Sequence, residues 1–197
     1  SEAVIACLHR AIAAGIPFFS GDYLAKATRK DLENVFAGTI EMPMLDERVT
    51  LFNEVGRVLV ENYEGRYSNF VNSCAPRLYA EGDGILERLT SEFPRFRDVS
   101  VYNGAEVYIY KLAQLGIWGM HLALSPQKAW ELEDAHMLTA FADYIVPVGL
   151  RVTGIFEYAP ELEEQINSLV EVPRESQAEV ELRASSIYAI ARLTDEI

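Results

Sequence analysis

The stretch Val99-Ser-Val-Tyr-Asn-Gly-Ala-Glu-Val-Tyr-Ile-Tyr110 decides the fold class. β-Forming residues alternate on both sides of Asn103-Gly104, a dipeptide that accepts the positive φ angles of a tight hairpin turn. No second convincing strand pair occurs along the chain. A lone hairpin is marginal in water, so this one needs a body of other elements to lie on. Its flanks read with helical spacing. The expected class is therefore mostly α, with one small β-hairpin at residues 99–110.

Downstream, residues 111–124 return to helix, loosened by Gly116 and Gly119. Ser125-Pro126 offers an N-cap followed by proline at the first helical position. It predicts a long apolar helix running towards Tyr144 and broken near Pro147. Ala159-Pro160 starts another short helix. Ser176-Gln-Ala-Glu179 is a capping box before the last helix, where Val180, Ala184, Ile187 and Ala191 share a face.

Upstream, residues 85–93 form a short helix that ends before Pro94, preceded by a turn at Gly82-Asp-Gly84. Residues 70–80 read either way. Residues 48–63 carry the clearest helical period, with Phe52, Val55, Leu59 and Tyr63 on one face and Val58 beside them. Residues 38–43 read as a connector. Thr28-Arg-Lys-Asp31 is a variant capping box opening a helix to Phe36. Residues 2–14 form a helix stopped by Gly15 and Pro17.

Composition narrows the function classes. Half of the 197 residues are hydrophobic and are spread evenly, which fits one globular domain over residues 1–197. No run of eighteen apolar residues spans a membrane, and the first residues lack the pattern of a secretory signal. Cys7 and Cys74 lie outside any CxxC pair and have no histidine at metal-ligand spacing. Two reduced thiols in a cytoplasmic protein is the expectation. Against 17 basic residues stand 30 acidic ones, a formal net charge of -13. That field repels a nucleic-acid backbone, yet admits a small phosphorylated ligand held by one or two cations.

Glycine-rich phosphate loops, zincin motifs and nucleophile elbows are absent from the sequence. His9, His121 and His136 are far apart and read as local hydrogen-bonding groups. The sharper signal is Phe141-Ala-Asp-Tyr-Ile-Val-Pro147, in which Asp143 sits inside an apolar and aromatic run at the expected end of a helix. Burying an ionised carboxylate is costly unless it is paired or hydrogen-bonded, so such a residue serves a cap, an ion pair or chemistry. Lys111, between Tyr110 and Leu112, either snorkels to solvent or joins a site. These residues fit an enzyme pocket or a helical scaffold that binds a partner. Convergent polar groups in a pocket favour the first, and a large exposed apolar patch the second.

Several stretches, taken in order, resemble the queuosine salvage protein family of queuosine 5'-phosphate N-glycosylases. They are Ala11-Ile-Ala-Ala-Gly-Ile-Pro17, Gly21-Asp-Tyr-Leu-Ala-Lys-Ala-Thr28, Leu45-Asp-Glu-Arg48, Asn53-Glu-Val-Gly-Arg57, Tyr108-Ile-Tyr-Lys-Leu-Ala-Gln114, Leu138-Thr-Ala-Phe-Ala-Asp-Tyr-Ile-Val-Pro147 and Glu179-Val-Glu-Leu-Arg-Ala184. The resemblance implies a helical fold akin to that of DNA glycosylases. It implies hydrolysis of the N-glycosidic bond of queuosine 5'-phosphate, or a related nucleoside or nucleotide, with release of queuine for tRNA modification. It implies no metal or redox cofactor. Asp143 matches the family's catalytic aspartate; Lys111 matches the lysine of its YK-x-AQ stretch and Asp22 the aspartate of its DYL stretch, and both are expected to contact the substrate. The implied partner is a small nucleotide; the acidic charge balance argues against direct tRNA contact, no membrane contact is expected, and oligomeric state stays open. Family chains are longer and carry an N-terminal segment with aromatic and histidine residues of the pocket. Gly119 stands where an aspartate often follows the AQ helix, and Val148 where a glutamine often follows the FADYxxP proline. The alternative function is a non-catalytic helical domain that binds a small molecule or a protein.

Overall fold

The computed structural model describes residues 2–38 and 42–196. The middle of the connector expected at residues 38–43 lies outside them. The chain divides into two compact units, one of Ser1–Ala75 with Ser91–Arg95, the other of Pro76–Thr90 with Phe96–Ile197.

The first unit is helical, with α1 (Glu2–Ala13), α2 (Gly21–Leu24), α3 (Arg29–Val35), α4 (Leu45–Tyr63) and α5 (Tyr67–Ser73). α1 ends at Ala13, two residues before Gly15, whose φ of 76° suits a residue without Cβ. The variant capping box at Thr28 forms: the Thr28 hydroxyl accepts from Asp31 N–H, and the Asp31 carboxylate accepts from Thr28 N–H. Phe18 sits at the centre of the core, with the Phe36 ring 6.0 Å and the Phe52 ring 5.2 Å away, both edge-on. Cys7, Leu24, Leu32 and Val35 close around it. Gly56 lets α2 cross α4 closely, since a Cβ there would stand 2.1 Å from Ala25 N. The ambiguous residues 70–80 resolve into the end of α5 and an irregular run.

Most of α6 (Ile85–Glu92) belongs to the second unit, followed by β1 (Val99–Tyr102), β2 (Ala105–Tyr108), α7 (Lys111–Leu124), α8 (Val146–Val152), α9 (Pro160–Asn167) and α10 (Gln177–Asp195). The hairpin forms as expected, with Tyr102 opposite Ala105 and positive φ at both Asn103 and Gly104. It is antiparallel, and the described residues contain no other named strand. The mostly α class with one small hairpin holds. Ser176 caps α10 by accepting from Glu179 N–H at 3.3 Å.

The long helix expected from Ser125 to Tyr144 does not form. Residues 125–127 make one 3-10 turn, which ends at Lys128 in the left-handed region, with φ 54°. Beyond it the chain is irregular apart from a short 3-10 turn at Ala135–Met137. Backbone groups there bond to side chains instead of to a helical ladder. Leu132 N–H donates to His121 Nδ1 and Thr139 N–H to Gln114 Oε1. Pro147 does not break a helix; it stands in the first turn of α8, where its missing N–H costs nothing.

Candidate active site

Asp143 therefore precedes a helix instead of ending one. Its Oδ1 accepts from Ile145 N–H at 2.8 Å and from Val146 N–H at 3.4 Å, donors that the opening turn of α8 leaves free. Its Oδ2 lies 3.4 Å from the Lys111 ammonium. Lys111 is the first residue of α7, immediately after Tyr110, whose backbone is left-handed with φ 50° and ψ 31°. The two sequence candidates thus meet as an ion pair at the junction of three features: the hairpin exit, the start of α7 and the start of α8.

Both charges are half-buried, with 21% of the Lys111 side chain and 30% of the Asp143 side chain exposed. Burial pushes the Asp143 carboxyl up, but the Ile145 N–H, the Lys111 ammonium and the Val146 N–H together outweigh it. The carboxyl is held below its ordinary value of 3.8 and stays ionised at neutral pH.

The pair opens on a cleft of about 810 Å³ inside the second unit. Tyr144, Pro147, Val148, Val152 and Val170 give it apolar walls, and Arg151, Glu171, Glu179 and Arg183 bring further charge. Arg151 lies 5.0 Å from the Tyr158 ring centre and 2.5 Å from Glu163. Convergent polar groups in a mostly apolar cleft are what an enzyme pocket offers.

Two further residues frame the pair. The Arg183 guanidinium forks onto Asp98, Nη1 to Oδ1 at 3.1 Å and Nη2 to Oδ2 at 2.5 Å, while its Nε donates to the Ala142 carbonyl at 3.1 Å. Burial works against the Arg183 charge, but Asp98 and Glu179 more than compensate and raise its pKa. Buried Gln114 accepts from Thr139 N–H and donates to the Ile109 carbonyl, fastening the strand of chain before Asp143 to α7. Arg183 and Gln114 lie in family-like stretches; nothing local in the sequence marks Asp98, because its partner is 85 residues away.

Asp22 belongs to the first unit, in the first turn of α2. Its carboxylate abuts the turn after α4, where a Cβ on Gly65 would stand 3.0 Å from Asp22 Oδ2. Among the described residues no three His, Cys, Asp or Glu side chains cluster at metal-binding distance. No described helix is long and apolar enough to cross a membrane.

The sequence pattern of the family described as queuosine salvage protein matches residues 2–197. The chain belongs to that family. A protein of Sphaerobacter thermophilus named queuosine 5'-phosphate N-glycosylase/hydrolase is 38% identical over 191 residues, covering 97% of this chain and 58% of that protein. Its namesake in Dictyostelium discoideum is 32% identical over 188 residues, covering 95% of this chain and 57% of that protein. The mouse protein of the same name is 27% identical over 197 residues, covering 99% and 57%. The chain thus spans less than two thirds of the length of these relatives.

Proposed function

We propose that this chain hydrolyses the N-glycosidic bond of queuosine 5'-phosphate, or of a closely related nucleotide, releasing queuine base. The observation that supports it most is the ionised Asp143 carboxylate beside Lys111 in the lining of a mostly apolar cleft, in a chain of this family. Breaking a ribose C1'–N bond sends the bonding electrons to the base and leaves positive charge on the sugar. A fixed carboxylate next to C1' stabilises that charge. It also orients water, whose oxygen bonds to C1' and whose proton is released as the base takes one up. A carboxyl that titrates below 3.8 has no proton to give at neutral pH. Asp143 therefore acts as the electrostatic and water-orienting group, and the proton on the leaving base comes from elsewhere. The apolar walls strengthen each electrostatic contribution by excluding water. Lys111 supplies a point charge suited to a 5'-phosphate, and Asp22 is the weaker candidate for substrate contact.

The test is a hydrolysis assay on queuosine 5'-phosphate that follows free queuine, with the wild-type chain and with Asp143→Asn. The substitution keeps the shape and removes the charge. The expected single-turnover rate is about 100-fold lower with the fold intact, the usual worth of a positioned electrostatic or acid–base group. Equal rates would remove Asp143 from the chemistry. Tight nucleotide binding without turnover by the wild-type chain would favour the non-catalytic binding domain.

A further inference from the structure

We infer that Asp98 and Arg183 are positioning residues whose ion pair holds Lys111 and Asp143 in register. The inference rests on the reading of that pair as the working charges of the cleft.

The geometry runs through two tethers that share one carboxylate. On one side, Asp98 Oδ2 accepts the backbone N–H of Lys111 at 3.3 Å, and the Asp98 carbonyl accepts the N–H groups of Ile109 at 3.0 Å and Tyr110 at 3.2 Å. These three bonds bracket the left-handed Tyr110 and fix the direction in which α7 starts. A tyrosine in that conformation is strained and persists only where its surroundings hold it. On the other side, Arg183 carries the Asp98 carboxylate to the Ala142 carbonyl, part of the peptide bond that joins Ala142 to Asp143. One tether ends on the backbone of Lys111 and the other on the residue before Asp143. Both anchors are shielded, with 16% of the Arg183 and 21% of the Asp98 side chain exposed.

A buried ion pair is a poor source of stability, because desolvation cancels most of the attraction. Replacing both partners by apolar groups of similar volume is often neutral. If the pair had no positioning role, variants that lose it and still fold would keep the cleft unchanged. If it positions, the Lys111 ammonium and the Asp143 carboxylate lose their alignment while the fold survives.

Two variants separate these cases: the charge-neutral Asp98→Leu/Arg183→Met, and Arg183→Lys, which keeps the charge but loses the fork and the Nε bond. The first readout is the titration midpoint of the Asp143 carboxyl, followed by carbon NMR, which needs no substrate. The second is the single-turnover rate on queuosine 5'-phosphate. The midpoint is expected to rise in both variants as Lys111 falls out of register. The rate is expected to fall about 100-fold, the scale of a misplacement near 1 Å. An unchanged midpoint in either folded variant overturns the inference. Failure of both variants to fold overturns it too, since the pair would then be a requirement of the fold. If the midpoint rises while the wild-type chain hydrolyses nothing, positioning stands and the proposed reaction fails.

Discussion

At Asp143 burial and hydrogen bonding pull in opposite directions, and the outcome fixes what the residue can do. Burial is the largest single influence and favours the neutral acid; Ile145, Lys111 and Val146 together reverse it. Lys111 enters twice, through its hydrogen bond and through its charge, so removing it is the informative change. In Lys111→Met the Asp143 midpoint is expected to move up, read by carbon NMR. A midpoint that stays put would mean that the ammonium contributes nothing across the 3.4 Å gap. The sign for stability follows. A carboxyl with a depressed folded pKa stabilises the fold above its unfolded pKa and loses that contribution as pH falls through the folded value. Wild-type chain should accordingly lose stability faster than Lys111→Met as acid is added below about pH 4, measured by urea denaturation at stepped pH. Asp143 was legible in the sequence because a carboxylate among Phe141, Ala142, Tyr144 and Ile145 needs a reason to be there. The direction of its hydrogen bonds was not legible, since the apolar spacing around it suggested a helix behind it and the helix lies ahead.

Local chemistry decided which elements could be foreseen. The Asn103-Gly104 turn, the box at Thr28 and the stop at Gly15 each complete themselves within a few residues, and each formed. The expected helix over residues 125–144 failed for a non-local reason. Gln114 lies on α7 and takes Thr139 N–H, a donor that a helix would have bonded internally. Apolar periodicity carries no information about a glutamine 25 residues away. Gly56 illustrates the same limit from the other direction. As a glycine inside α4 it looks like a weak point, whereas it is the contact through which α2 and α4 approach. A Cβ at this position would stand 2.1 Å from Ala25 N and 2.7 Å from Ala25 Cα, both backbone atoms that cannot rotate away. Gly56→Ala would gain about 1 kcal/mol in a free helix. In this fold it is expected instead to destabilise by about 2 to 3 kcal/mol, as overpacking does. Chemical denaturation of the two proteins checks it, and a stabilised Ala variant would show that the crossing has room to open.

Charge is a property of the whole chain, and it bears on which form of the substrate can arrive. The net formal charge is -13, from 30 acidic and 17 basic residues. A nucleotide and a tRNA both present phosphate, but they ask for different surfaces. The nucleotide needs one or two cations at a fixed place, which Lys111 and Arg151 in the cleft wall can offer. A polyanion needs a stripe of cations, because its affinity grows with the number of phosphates neutralised and counterions released. Outside the cleft wall, Arg29, Arg77 and Arg192 are each engaged with carboxylates of the chain itself, which leaves their charge locally answered. We therefore expect free nucleotide to be the substrate form and tRNA to stay unbound. The most demanding condition is low salt: at about 10 mM the screening length is about 30 Å, so any basic surface would exert its full attraction. Fluorescence anisotropy of labelled tRNA at 10 mM salt is expected to stay flat up to micromolar protein. Queuosine 5'-phosphate hydrolysis under the same conditions should not be inhibited by added tRNA. Binding that appears at low salt and collapses steeply as salt is raised would reveal phosphate contacts, and would move the reaction from a free nucleotide to the intact nucleic acid.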